Sequence, residues 1–411
     1  MAAMPTPLRP ETGREDPDQA AILAAAAADV VLLGEATHGT SEFYTERARI
    51  TEGLAQDART AAVVIEADGT EVARANRYVR GIGPDPSAAV ALSDFRRFPR
   101  WMWRNQELAE FVERLRATNL RRPESARIGL YGMDVYDLYG ALDRGRAFLR
   151  VHGGRSLAAA DAAAKCFAPH RRSTEAYGTA ARKPARSCAA AAQSLLDAVT
   201  ATPSAIDLAA SEAHFEARQA AAAVVDGEAY FRAAFAGSYS WNVRERAMAG
   251  VIERVAQHAT SARHHPARIV VWTHNSHAAK AASTTLVDQG ETTLADLLRH
   301  GDARQVFSLG LLTHSGTFMA ASAWNRPGQI FRLTPAARNS AEGLLYRAGG
   351  ARTLLMLPGS TAAFAEWRPQ RMVGAVFDAA NPEAVYARAQ LSTQFDAVLF
   401  AAETRAVTPL P

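Results

Sequence analysis

VLLGEATHGTSEF, residues 31–43, joins a short apolar run to a polar turn and the start of a helix. Three aliphatic residues run into Gly34, and a carboxylate (Glu35) and an imidazole (His38) follow before helical periodicity begins. A short uninterrupted apolar run reads as a strand buried on both faces, the pattern of a parallel sheet covered by helices. Ser41 is a suitable N-cap for the helix SEFYTERARITEGLAQD (41–57), whose early acids suit the helix dipole. Strand, glycine, polar turn and helix in that order make the first β-α unit.

The same kind of run recurs along the chain. DVVLLGE (29–35), TAAVVIEAD (60–68), ARIGLYGMD (126–134), ARIVVWTHNSH (267–277), RQVFSLGLLTH (304–314), ARTLLMLPG (351–359), RMVGAVFD (371–378) and FDAVLFAAET (395–404) are all predicted strands. RNQELAEFVERLRAT (104–118) repeats apolar residues at helical spacing, with charges on its outer side. From about 155 to 262 the strands give way to Ala-rich periodic runs such as SCAAAAQSLLDAVTAT. The predicted class is therefore α/β, a mostly parallel β-sheet flanked by helices, with a helical bundle insertion. Residues 1–150 plus 266–411 form a discontinuous catalytic domain, and residues 151–265 the helical subdomain.

Composition narrows the function classes. The 411 residues are 48% hydrophobic, enough for a substantial core, and 46 Lys+Arg against 42 Asp+Glu leave a net charge of +4. The basic residues are scattered among acids without the dense face that nucleic acid requires, so no nucleic-acid partner is expected. No window approaches a membrane-spanning length of apolar residues, and the polar, proline-bearing N-terminus has no signal-peptide pattern. Cys166 and Cys188 are too few for a disulfide framework and read as small apolar core residues, with a single bridge between them open. These features together point to a cytoplasmic protein.

The strand reading places the chemistry. Glu35 and His38 follow the first strand, Glu66 and Asp68 the second, Asp134 the third, His274 and His277 the fourth, and His314 the fifth. In a parallel sheet these positions share one edge, where open α/β proteins bind ligands. Taken singly, Asp68 or Asp134 reads as a helix cap and His314 as a hydrogen-bonded structural residue. The cluster of Glu35, His38, Glu66, His274 and His277 fits general acid/base work, because histidine titrates near neutral pH and a flanking carboxylate fixes its tautomer. It also fits a divalent metal site. HExxH, GxSxG, P-loop and GxGxxG signatures are all absent.

Those same residues carry a resemblance. GEATHGTSEFYTERAR (34–49), IEA (65–67), WRNQELAEFVERLRATN (103–119), YGMDVY (131–136), RERAM (244–248), WTHNSH (272–277), FDAVLF (395–400) and TPL (408–410) resemble the erythromycin esterase family, in the family's order and across almost the whole chain. The resemblance implies an α/β fold with a helical insertion and hydrolysis of an ester or macrolactone by water, a macrolide such as erythromycin being the leading substrate. It implies catalytic roles for His38, Glu35, Glu66, Arg47, His274 and His277; Arg47 enters through the resemblance alone. RFPRWMWRN (97–105) reads either as an apolar binding wall or as packing between the two parts of the fold, with Trp101, Trp103 and Asp134 as candidate substrate-binding residues.

In the expected mechanism His38 takes a proton from water, Glu35 or Glu66 orients the imidazole, Arg47 holds the carboxylates, and His277, backed by His274, stabilises the oxyanion or protonates the leaving alkoxide. No cofactor is needed. Two alternatives use the same cluster: a divalent metal whose bound water attacks, and a non-catalytic protein that binds a large apolar ligand or haem.

Overall fold

Val30–Leu33 (β1) can occupy the middle of a sheet because all four of its residues are apolar, and all four are buried. In the computed structural model, which describes residues 17–203, 208–300, 304–357 and 362–411, β1 lies between two parallel neighbours. These are β4 (Arg268–Trp272) and β5 (Val306–Ala321). Beyond β4 lie β2 (Thr60–Asp68) and then β3 (Gly129–Asp134), and beyond β5 lies β10 (Ala397–Thr404), all parallel. The fold is α/β, with a mostly parallel sheet flanked by helices. Because the chain fills one side of β1 and then the other, the crevice at the carboxyl ends of the central strands is a topological switch point.

Asn275 fixes the central register. Its side-chain amide donates to the Leu311 carbonyl at 3.0 Å and its oxygen accepts from the Leu311 N–H at 3.3 Å, while its backbone N–H bonds the Glu35 carbonyl at 2.8 Å. The Asn275 side-chain oxygen occupies the space that a Cβ at position 34 would need, which is why the turn after β1 begins with glycine.

Several details depart from the sequence expectations. β7 (Arg352–Met356) runs antiparallel to β10 at the sheet edge and is only partly buried. β5 continues to Ala321 and pairs its outer half with β6 (Gly328–Leu333), a half-exposed strand whose mixed polarity hid it. The predicted strand 371–378 is not one: Val373 bridges Thr37 and Val376 bridges Ala321. Its N–H and C=O groups are divided between two strand ends, so it crosses the sheet edge instead of joining a ladder. Only Arg371 belongs to a strand, β8 (Arg368–Arg371), which pairs with β9 (Tyr386–Ala389) in a separate hairpin. The helix after β1, Ser41–Leu54, is preceded by Thr40 as cap residue, so Ser41 is its first helical residue and not its cap. The N-terminal stretch 1–16 and the last two residues of the 351–359 run lie outside the described residues.

The apolar core has two large parts. One surrounds the sheet and includes Met248, Ile252 and Val255 of the helix Ser240–Arg263. The other is wholly helical and includes Leu142, Phe167, Leu195 and Val224. Within the helical part Cys166 and Cys188 form a disulfide, with Cα atoms 5.8 Å apart. The bridge that the sequence leaves open is present, because the end of the helix Leu157–Phe167 packs beside the start of the helix Ala189–Ala201. The bond also removes the argument from cysteine usage for a reducing compartment. Among the described residues no helix is long and apolar enough to cross a membrane.

Closing the 22-residue separation between the cysteines restrains the unfolded chain. Cys188→Ser is expected to cost about 2–4 kcal/mol in denaturant unfolding followed by far-UV circular dichroism.

Candidate active site

Glu35 is the first polar group after β1, and it is fully buried. One of its oxygens meets His38 Nδ1 at 2.9 Å. The other lies 2.8 Å from the Arg47 guanidinium, in an ion pair whose N–H is not aimed at the oxygen. Arg47 comes from the second turn of the helix Ser41–Leu54, and its Nε donates to the Phe43 carbonyl at 3.2 Å. Burying a lone cation costs several kcal/mol. Here Glu35 supplies the counter-charge, and the rings of Tyr44, Trp272 and Trp103 stand 4.6, 5.0 and 6.0 Å away. With a carboxylate on Nδ1, the neutral imidazole of His38 carries its proton there and presents Nε2 as an acceptor.

A second ionic cluster joins the ends of β2, β3 and β4. Glu66 receives Arg244 at 2.8 Å on one oxygen, and the Thr273 hydroxyl and the His274 N–H, both at 2.8 Å, on the other. Arg244 also clamps both oxygens of Asp134, at 2.8 and 2.7 Å. Burial alone would raise the Glu66 carboxyl, but the charges of His277 and Arg244 outweigh it and hold Glu66 well below the ordinary carboxylate range. His277 places Nδ1 at 2.5 Å from Glu245 and Nε2 at 3.2 Å from Glu66, and its ring stacks on Trp241 at 4.7 Å. Burial opposes its charge, yet Glu245 and Glu66 raise it to about 9, so it is an imidazolium at neutral pH. Arg244 approaches the same Nε2 at 3.0 Å; with Nε2 protonated, that approach is one between two cations held together by Glu66.

His274 behaves in the opposite way. Its Nδ1 pairs with the Ser276 hydroxyl at 2.9 Å, and Nε2 faces the Ala36 carbonyl at 3.4 Å. Burial, and then the neighbouring His38, lower it to about 3, which keeps it neutral. Its ring lies 4.8 Å from that of His38. His274 therefore supports the His38 ring from behind.

The cavity in front of His38 has a volume of about 160 Å³. Glu66, Asp68, Asp134 and Arg244 contribute its charged floor. Phe95, Phe98, Trp103, Tyr136 and Trp324 contribute aromatic walls. Trp324, 58% exposed on the turn between β5 and β6, lies 4.7 Å from Phe98 and 6.3 Å from Tyr136. Trp103 lines the cavity and donates from its indole to the Glu66 carbonyl at 2.9 Å. Asp134 reaches the cavity with both oxygens committed to Arg244.

The structure thus brings Glu35, His38, Arg47, Glu66, Trp103, Asp134 and His274 to one sheet edge, with His277 beneath them. It does not bring Trp101 to the cavity: that ring is 6% exposed and packs on Gly328, where a Cβ would strike it. The nitrogens of the His277 and His274 rings all face protein partners. Arg244 and Glu245 were not singled out among the site residues. Their signal was the charged pair in RERAM, on a helix whose neighbours Ala247, Met248 and Ala249 are buried.

A family model described as erythromycin esterase matches residues 60–404. The chain belongs to the erythromycin esterase family. The match begins after Glu35, His38 and Arg47, so their place in the site rests on the geometry above. Membership supports ester hydrolysis as the activity. Three solved structures share the fold of this erythromycin esterase family member. A succinoglycan biosynthesis protein is 19% identical with a TM-score of 0.75, over 96% of this chain and 91% of that one. A protein from Bacillus cereus is 15% identical with a TM-score of 0.75, over 98% and 96%. A histidine-to-asparagine mutant of the erythromycin esterase EreC in its open conformation is 17% identical with a TM-score of 0.67, over 95% and 94%.

The charged His277 gives a pH dependence with a definite sign. Its value in the fold, about 9, lies above the ordinary 6.5, so its stabilisation is complete below about pH 6.5 and is lost as pH rises through about 9. Urea unfolding across that window is expected to show falling stability for the wild type. Glu245→Gln, which removes the strongest attraction on His277, is expected to move the fall to lower pH.

Proposed function

We propose that the protein hydrolyses a carboxylic ester or lactone, with a macrolactone of the erythromycin kind as leading substrate and His38 as the general base. The observation that carries this reading is the buried chain Arg47, Glu35, His38, which ends with Nε2 of the imidazole at a cavity walled by aromatic rings. Water bound at Nε2 loses a proton to His38 as its oxygen attacks the ester carbonyl. Glu35 orients the ring through Nδ1 and balances the imidazolium that forms, and Arg47 holds Glu35 in place. The guanidinium of Arg244 in the cavity floor supplies positive field to the developing oxyanion. A positioned base of this kind is worth about 10²–10⁴ in rate.

A divalent-metal version would need the acids near the histidines as ligands. Glu66 and Asp134 are instead tied to Arg244, and among the described residues no three His, Cys, Asp or Glu side chains converge as a ligand set. That geometry supports the general-base reading over the metal one.

Incubation of purified protein with erythromycin, followed by mass spectrometry, is expected to show the gain of one water with or without EDTA. His38→Ala is expected to lower the rate by about 10²-fold or more with the fold unchanged. An unaltered rate in that variant would sink the assignment of the base, and loss of activity in EDTA that metal restores would favour the metal.

A further inference from the structure

Hydrolysis of an alkyl ester has two proton transfers, and His38 accounts for the first. The second delivers a proton to the departing alkoxide, and the groups that line the cavity can be compared for it one at a time. Glu66 has both oxygens engaged, by Arg244 on one side and by Thr273 and the His274 N–H on the other. Asp134 has both oxygens on Arg244. Glu71 spends one oxygen on the N–H groups of Arg96 and Arg97, at 2.9 and 3.0 Å, and stands further out, only half-buried on the helix Gly69–Val79.

Asp68 differs from all three. It ends β2 two residues beyond Glu66, is 7% exposed, and lines the same cavity as His38. Its position precedes the helix Gly69–Val79, yet its side chain makes no cap hydrogen bond. One oxygen accepts the Asp137 N–H at 2.8 Å. Among the described residues the other has only Arg97, 3.9 Å away and beyond hydrogen-bond reach. The carboxyl is therefore oriented through one oxygen and open at the other.

We infer that Asp68 is the general acid of the reaction, protonating the alkoxide oxygen as the ester C–O bond breaks. The inference rests on His38 being the base. The exchange balances without a further reactant. Water gives its proton to His38 Nε2 and its oxygen to the acyl carbon. The C–O bond breaks, and the leaving oxygen takes the Asp68 proton. The proton held by His38 then restores Asp68 through water, leaving a carboxylic acid and an alcohol.

The surroundings of Asp68 suit the role. Burial comes first among the influences on it. The charge of Arg97 pulls it down, but Asp134 and Asp137 from β3 and its following turn, and Glu71 from the helix it precedes, push it up. The balance lies well above the ordinary carboxylate range. Glu66, two residues earlier, is held well below it. Two carboxyl groups driven apart in this way mark an acid and a fixed charge.

The test pairs two esters of one acyl group, an alkyl ester and a 4-nitrophenyl ester, because the aryl oxide departs without a proton. Asp68→Asn keeps the acceptor for the Asp137 N–H and removes the acid. It is expected to lower kcat/KM for the alkyl ester by about 10²-fold, to remove the basic limb of its pH profile, and to change the aryl ester by less than about threefold. An infrared difference spectrum of wild type against Asp68→Asn at neutral pH is expected to show the carbonyl band of one protonated carboxyl. Equal losses on both esters, no loss on either, or no such band would overturn the assignment, as would a leaving-group-selective loss in Glu71→Gln and not in Asp68→Asn. If wild type turns over neither ester, the general-base reading falls and this one falls with it. Turnover that His38→Ala abolishes, with no ester selectivity in Asp68→Asn, removes only the acid.

Discussion

The guanidinium of Arg244 is the interaction around which the sheet edge is organised. It reaches from the helix Ser240–Arg263 to Glu66 at the end of β2, Asp134 at the end of β3 and His277 just after β4. Parallel strands leave their carboxyl ends divergent, and nothing in the backbone ladder ties those ends together beyond the last hydrogen bond. One buried cation with carboxylates on two sides does so here. Taking those charges out of water is unfavourable, so the cluster holds only while every member keeps its partner. That is why Glu245 stands behind His277 and why the Thr273 hydroxyl and the His274 N–H complete Glu66.

His38 benefits from this rigidity without taking part in it. Its own restraint is separate: Glu35 on one nitrogen, Arg47 behind Glu35, and the His274 ring against its face. Each of those residues is buried, while His38 itself keeps 11% of its side chain exposed. The general-base role proposed for His38 calls for an open lone pair on a ring that cannot turn, and the two requirements are met by different neighbours. Two histidines at this edge are held in opposite protonation states by their surroundings, His274 neutral and His277 charged. Neither state follows from residue type.

Much of this was legible in the sequence because buried parallel strands announce themselves as apolar runs. Seven of the eight predicted strands form the core of the sheet and its β7 edge within a few residues of their expected ends, the run at 351–359 being antiparallel; that at 371–378 is displaced. β6, β8 and β9 stayed hidden because edge and hairpin strands alternate or mix polarity, and short runs of that kind look like loops. At the site, residues that end strands were visible because a carboxylate or imidazole after an apolar run is conspicuous. Arg244 and Glu245 were harder to choose, since charges on a long helix usually face water and only the packing of the helix against β2 and β3 reveals that these do not. Trp101 and Trp103 could not be told apart by type; they differ only in the direction a short helical turn gives each ring. Cys166 and Cys188 likewise needed the fold to bring them together.

Trp324 belongs to a part of the molecule that carries none of the charged machinery. The β5–β6 hairpin hangs beyond the sheet edge and sets one ring over the cavity mouth, opposite Phe98. Turns of this kind accept insertions and deletions at small entropic cost. The entrance can therefore drift over evolutionary time while the strand ends below it stay as they are. In such a protein, ancestry is written in the sheet and diet in the hairpin, and two descendants could share every charged residue yet part company over what they admit.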